Sequence, residues 1–275
     1  MTSPSLETNR IYNEDCIDTL KRMGDSVLDM TITSPPYDNL RTYNEFSFDA
    51  EKIITELYRT TKEGGVVVWV VGDATIKGSE TGTSFRQALL FMDKGFRLHD
   101  TMIYQKTGTP FPSKVRYNQC FEYMFVFSKG KPKTFNPIMK PNKTAGAVRH
   151  TRKYRNKKGE LIAGFNGKPV NEMGIENNVW VIKNGMYKST HDKIAFEHPA
   201  IFPEELCEKH IKSWSSEGDI VFDPFMGSGT TAKMAMLNNR NYVGSEISKE
   251  YCDVAYQRLL SIEGLEDIES SVEAS

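Results

Sequence analysis

Two short peptides, far apart in the chain, hold the residue types that could do chemistry. The first is Thr33-Ser34-Pro35-Pro36-Tyr37, and the second is Asp223-Pro224-Phe225-Met226-Gly227-Ser228-Gly229-Thr230-Thr231. In the first, two prolines fix φ. They hold Ser34 Oγ and the carbonyl of Pro35 as acceptors beside an aromatic face, Tyr37. Preorganised acceptors of this kind stabilise charge that develops on a reacting group. In the second, Gly227-x-Gly229-x-x-Ala232 follows a strand and opens a helix, which is the spacing of a nucleotide-binding turn. The glycines permit a tight turn and let a ligand approach the backbone. A carboxylate, Glu246, ends the next strand, where it can accept hydrogen bonds from ribose hydroxyls. On this spacing alone a nicotinamide-dependent oxidoreductase is a reading in its own right. A P-loop is not, because no Lys follows the second glycine.

The elements that must position these loops follow from the hydrophobic pattern. Leu28 to Ile32 and Ile220 to Phe222 are apolar runs that read as buried strands, so both loops leave carboxyl ends of strands. That is where open α/β sheets place ligands. Asp49 to Thr61 carries Ile53, Ile54, Leu57 and Tyr58 at helical spacing and ends at Gly64-Gly65. The strand Val66 to Val71 follows. Ser84 is placed to cap a helix over Phe85 to Lys94, with Gly95 just past its end. Phe96 to Gln105 and Phe121 to Ser128 read as strands, and Pro203 opens a helix through Trp214. Strand Asp219 to Phe222, the glycine loop, a helix to Asn239, strand Asn241 to Gly244 and a helix from Ser248 to Leu260 complete the order. Such alternation predicts a mostly parallel sheet covered on both faces.

The stretch from Lys129 to Asn178 breaks the pattern. It is rich in Lys, Asn, Gly and Pro, and too long for an ordinary connection. Between Lys129 and Lys168 lie 12 Lys plus Arg against one acid, Glu160, although the net charge of the whole chain is only -1. The tail from Glu263 to Ser275 has five acids and no base. A near-neutral total split this way predicts a localised face for a polyanion. Chain length, 275 residues at 39% hydrophobic and 26% charged, suits one soluble α/β domain with an insertion, or two small domains. No charged-then-apolar leader stands at the N-terminus, and Val66 to Val71 is too short to span a bilayer, so neither a signal peptide nor a membrane association is expected. Cysteines at 16, 120, 207 and 252 lack CxxC spacing, so no metal is expected and the thiols read as reduced, in a cytoplasmic protein.

The two peptides together resemble the catalytic and cofactor loops of S-adenosyl-L-methionine-dependent DNA amino-methyltransferases. The surrounding residues extend the likeness. Gly244-x-Glu246 followed by Tyr251 and Ala255, and His198-Pro199-Ala200-x-Phe202-Pro203, are similar to the cofactor half of that family. Asn13-Glu14-Asp15-Cys16 resembles its short acidic segment, with Glu14 where the family usually has Gly. The resemblance spans roughly residues 11 to 260. Its order, catalytic loop first, basic segment next, cofactor loop last, is that of the β group.

The resemblance implies a Rossmann-like α/β sheet, circularly permuted, with an inserted basic target-recognition region. Residues 1–128 would form the catalytic half, 129–178 the target-recognition region, 179–262 the cofactor half and 263–275 an acidic tail. It implies that Ser34, Pro35, Pro36 and Tyr37 are catalytic. Cofactor binding falls to Asp15, Cys16, His198, Pro199, Phe202, Asp223, Phe225, Gly227, Gly229, Thr230 and Glu246, with Asp15 accepting from the adenine amine and Glu246 from the ribose. Arg149, Arg152, Lys153, Arg155, Lys157 and Lys158 would contact double-stranded DNA. The target base would be flipped onto Tyr37. Its exocyclic amine would attack the sulfonium methyl directly, without a covalent enzyme intermediate, since no Pro-Cys dipeptide is present. Ser rather than Asp at position 34 marks N4-cytosine methylation in the family, with N6-adenine the alternative. A restriction endonuclease partner, a homodimer and a prokaryotic or phage origin all suit such an enzyme.

Overall fold

The computed structural model describes residues 6–36, 48–108, 114–148, 153–163, 167–185 and 187–262. Tyr37, Arg149, Arg152 and the acidic tail lie outside the described residues. The chain divides into two compact units, residues 1–136 with 178–275, and residues 137–177.

In chain order the elements are β1 (Arg10–Tyr12), α1 (Cys16–Arg22), β2 (Leu28–Thr33), α2 (Ala50–Thr60) and β3 (Thr61–Val71). Next come a small hairpin, β4 (Thr75–Ile76) with β5 (Ser79–Glu80), then α3 (Thr83–Asp93), β6 (Arg97–Lys106) and β7 (Phe121–Ser128). The second unit holds β8 (Met139–Pro141), β9 (Tyr154–Arg155), β10 (Leu161–Ile162) and β11 (Met173–Ile175). The first then resumes with β12 (Val179–Ile182), α4 (Glu204–Trp214), β13 (Ile220–Asp223), α5 (Thr230–Leu237), β14 (Asn241–Ser245) and α6 (Lys249–Leu260).

The first unit is built on an eight-stranded sheet in the order β1-β14-β13-β2-β3-β7-β6-β12. Every strand but β7 runs the same way; β7 is antiparallel to both β3 and β6. From β2 the chain moves through α2 to β3 on one side, and from β13 through α5 to β14 on the other. The order therefore reverses between β2 and β13, which is the switch point where such sheets bind ligands.

Central strands are apolar throughout because both faces are covered. In β3, Val67, Trp69 and Val71 pack with Leu20 of α1, Ile54 and Leu57 of α2, and Phe91 of α3. The alternate residues Val66, Val68 and Val70 are equally buried. Helix α4 packs against α5 and β2. Its His210 lies fully buried, with Nε2 3.3 Å from Met124 Sδ and its ring 4.6 Å from that of Trp180. Burial pushes this imidazole well down, to about 3, so it is a neutral core residue.

Three local expectations change. Helix α3 begins at Thr83 with Gly82 as its left-handed N-cap, not with Ser84. Ser84 is instead engaged by Asp73, donating from Oγ to Oδ2 at 2.6 Å and from its backbone N to Oδ1 at 2.9 Å. Gly64 and Gly65 do not end a helix; they lie inside β3, which starts at Thr61 and shifts register against β2 between Leu28 and Met30. The short edge strand β1, too brief to show a period in the sequence, adds parallel to β14.

Candidate active site

The two sequence peptides meet. Thr33, the last residue of β2, donates from Oγ1 to Asp223 Oδ1 at 2.6 Å, and Asp223 is the last residue of β13. The carboxylate also accepts from Thr231 Oγ1 at 2.6 Å and from the backbone N of Phe225 at 2.9 Å. Burial pushes Asp223 up to about 6, against the pull of these three donors. Ser34, Pro35 and Pro36 follow directly, with Pro35 buried. One carboxylate thus binds the strand that carries Ser34 to the loop that carries the glycines.

The glycine turn is shaped from both sides. Gly229 caps α5 with φ +81°, and a Cβ there would lie 2.9 Å from Ala255 Cβ. Gly227 has φ +52°, and a Cβ there would meet His198 Nε2 at 3.1 Å. Both positions need a left-handed backbone and close approach, which glycine permits. Glu246 Oε2 accepts from Gly227 N at 2.8 Å, and Oε1 accepts from Ser248 N at 2.9 Å. Burial raises the Glu246 carboxyl, and these two backbone donors oppose the rise. Each oxygen keeps acceptor capacity beyond its one backbone bond. Phe225, half-buried beside the turn, packs its ring 6.4 Å from Trp69 and 5.7 Å from Phe48.

The remaining predicted cofactor residues sit at neighbouring strand ends. The backbone N of Glu246 donates to Tyr12 O at 3.0 Å, and Asn13 Nδ2 donates to the carbonyls of Glu246 and Ile247 at 2.9 and 3.0 Å. This joins the end of β1 to the end of β14. Asp15 follows, and its Oδ1 caps α1 by accepting from Ile17 N at 2.7 Å. Cys16 is buried, and burial, with the charge of Asp15 second, pushes its thiol up to about 12. His198 Nδ1 accepts from Ala200 N at 3.1 Å, and its ring stands edge-on to Tyr251 at 4.3 Å. Pro199 is exposed and Phe202 half-buried. Thr230 is buried, and its Oγ1 accepts from Arg258 at 2.8 Å.

That last bond belongs to a group of residues the sequence reading did not single out. Arg258 of α6 is fully buried. It donates to Asp192 Oδ2 at 2.6 Å, Glu204 Oε1 at 2.5 Å, Thr190 Oγ1 at 3.1 Å and the carbonyl of Ser228 at 3.0 Å. Lys233 of α5 reaches the same two carboxylates at 2.7 and 2.9 Å. Burial works to raise Asp192 and Glu204, yet Arg258 and Lys233 hold both below the usual carboxylate range. The cluster fastens the segment before His198 to the underside of the glycine turn. Its signal in the sequence is a charge on an apolar helix face: Val254, Ala255, Arg258 and Leu259 share the buried side of α6.

In the second unit, the basic run forms a hairpin. Tyr154–Arg155 pairs antiparallel with Leu161–Ile162. Arg155 Nη1 donates to Gly159 O at 2.6 Å, and Asn156 Oδ1 accepts from the backbone of Lys158 and Glu160. Lys153, Arg155, Lys157 and Lys158 are all exposed. Among the described residues no cluster of three or more His, Cys, Asp or Glu could hold a metal ion, and no helix is long and apolar enough to cross a membrane.

Comparison with known proteins gives the family. The profile described as DNA methylase matches residues 28–257. The orphan methyltransferase M.BamHII of Bacillus amyloliquefaciens is 62% identical over 241 residues, covering 87% of this chain and 91% of that protein. Among solved structures, the PvuII DNA methyltransferase, cytosine-N4-specific, superposes with a TM-score of 0.68 at 20% identity, over 97% of this chain and 92% of that one. A DNA modification methylase of Thermus thermophilus, TTHA0409, in complex with S-adenosyl-L-methionine, superposes with a TM-score of 0.63 at 22% identity, over 93% and 95%.

Proposed function

The chain belongs to the DNA methylase family, whose members use S-adenosyl-L-methionine, and on that premise we propose that it methylates the N4 amine of cytosine in double-stranded DNA. A site-specific DNA amino-methyltransferase is the statement the family carries. Membership also decides against the nicotinamide enzyme that the glycine spacing left open. The choice of base is our own reading, and Ser34 carries it. This residue leaves β2 one position after Thr33, which is bonded to Asp223 on the cofactor loop.

The residues present fit the cofactor. The glycine turn exposes backbone at left-handed positions, and Glu246 offers buried acceptors at the end of the adjoining strand. When bound there, the cofactor supplies an electrophilic methyl on a sulfonium. The protein does the rest by positioning. Glu246 takes the ribose hydroxyls and Asp15 the adenine amine, while Phe225 flanks the ring. Ser34 Oγ and the Pro35 carbonyl accept the amine hydrogens of the target base, so the nitrogen lone pair is freed from the ring as attack begins. Tyr37 stacks on the flipped base. No thiol takes part. Cys16, Cys207 and Cys252 are buried, and burial raises all three, Cys16 and Cys252 to about 12.

The hairpin residues Lys153, Arg155, Lys157 and Lys158, with Arg149 and Arg152 beside them in sequence, supply phosphate contacts. A homodimer would cover the exposed row Phe85, Leu89 and Met92 on α3; a restriction endonuclease partner is part of the same reading. Nucleoside digestion and mass spectrometry of methylated duplex test the base assignment. N4-methylcytosine is expected, and N6-methyladenine alone would overturn cytosine while leaving amine transfer standing.

A further inference from the structure

A cavity of about 520 Å³ is lined by Thr107, Lys183, Tyr187, Lys188 and His191, none of which belongs to the site described above. Thr107 follows β6 and Lys183 follows β12, whose last residues, Lys106 and Ile182, are register partners. The two strand ends are clipped together by Gly108 N donating to Asn184 Oδ1 at 3.0 Å. The opposite wall is a tight turn. Lys188 N and Ser189 N donate to Gly185 O at 3.0 and 3.1 Å, and Gly185 N donates to Ser189 Oγ at 3.1 Å. Tyr187 is held in the left-handed region at φ +57°, with its ring 5.6 Å from that of Phe196. His191 stands between Thr190 and Asp192, both fixed by the buried Arg258. The wall is therefore set by backbone bonds and a buried ion cluster.

The chemistry of the lining is that of an anion site. Two ammonium groups, an imidazole and two hydroxyls line it, and no carboxylate does. Lys106, one residue before Thr107, is paired with Glu122 at 2.5 Å. Among the described residues Lys183 and Lys188 are in no ion pair. A phosphate group, with its charge and several acceptor oxygens, matches this set.

Its place in the sheet says which phosphate. Strands β6 and β12 run in the direction of β2 and β3, so the cavity opens at the same carboxyl edge as Ser34. Four strand steps separate β12 from β2, about 19 Å at roughly 4.8 Å per step. That is the rise of about five to six base pairs. We propose that this cavity grips a backbone phosphate of the duplex on the flank of the target base. The proposal rests on the DNA methyltransferase reading, and adds to it a contact outside the basic hairpin.

The test compares wild type with Lys183→Gln/Lys188→Gln, measuring duplex affinity across a salt series, cofactor affinity by calorimetry, and methyl transfer. Each phosphate neutralised contributes about 0.9 to the log–log salt slope. The double variant should lower the slope by about that amount, weaken duplex binding at low salt, and bind S-adenosyl-L-methionine as before. An unchanged slope overturns the proposal. So does loss of inorganic phosphate binding, titrated separately, with an unaltered duplex slope, which would make the cavity a free-anion site. A wild-type protein that transfers no methyl to any duplex would fell the parent reading and this one together. That outcome is distinct from a wild type that methylates and a variant whose slope does not move.

Discussion

Asp223→Asn separates the charge of the central carboxylate from its hydrogen bonds. In the folded protein Asp223 titrates at about 6 because it is buried, whereas an unfolded aspartate titrates near 3.9. A raised folded value means that stability from this group is fully present below about pH 4 and is lost as pH rises through about 6. The loss is about 2 units at 1.36 kcal/mol each, or about 3 kcal/mol. Asparagine does not titrate. Its Oδ1 can still accept from Thr33 Oγ1 and Phe225 N, and its amide can donate to Thr231 Oγ1 once that hydroxyl turns. The stability of the variant minus that of wild type should therefore rise by about 3 kcal/mol between pH 4 and pH 7. Relief of Glu246, which the Asp223 charge helps to raise, adds in the same direction. Urea denaturation at each pH measures the difference, and groups common to both proteins cancel. A difference that stays flat across this range refutes the reasoning. Asp223→Ala, which leaves all three donors without their acceptor, should lower stability at every pH.

Glu246→Ala should weaken S-adenosyl-L-methionine binding by about 1–3 kcal/mol, the range for lost bonds to a charged acceptor; Glu246→Gln should cost less because it keeps an acceptor for one of the two backbone donors. Equal calorimetric affinity in all three proteins would remove the ribose role. Gly229→Ala places a Cβ 2.9 Å from Ala255 Cβ at φ +81°, so about 1–2 kcal/mol of backbone strain adds to the overlap. At about 2–4 °C per kcal/mol, the backbone part alone should lower Tm by roughly 2–8 °C. Adding Ala255→Gly should recover only the overlap; full recovery would show that the backbone conformation is not the constraint.

What was legible in the chain was local. Ser34-Pro35-Pro36 and Gly227-Ser228-Gly229 announce themselves because proline and glycine restrict or free the backbone wherever they stand, and each follows an apolar run. The order of strands and helices followed for the same reason. The partnership between the peptides was not legible, because the bond from Thr33 to Asp223 joins residues 190 positions apart. The direction of β7 was hidden too. Phe121 to Ser128 is apolar on both faces, and that pattern is the same whichever way a central strand runs. Ser84 had good capping chemistry, yet the buried Asp73 claimed it. Arg258 looked like one more charge on a surface helix until its position beside Ala255 and Leu259 was seen to point inward.

The sheet order has a consequence for how this chain must be made. Strand β2 is flanked by β3, which emerges soon after it, and by β13, which does not leave the ribosome until almost 190 residues later. Strand β1 pairs only with β14, later still. For most of synthesis the N-terminal half therefore carries an open, apolar sheet edge at β2. Closing so long a loop is entropically slow, and such edges are where growing chains associate wrongly. A chain stopped before Ile220 should leave Met30 and Ile32 without the strand that covers their flank, and should depend on chaperones far more than the complete protein does.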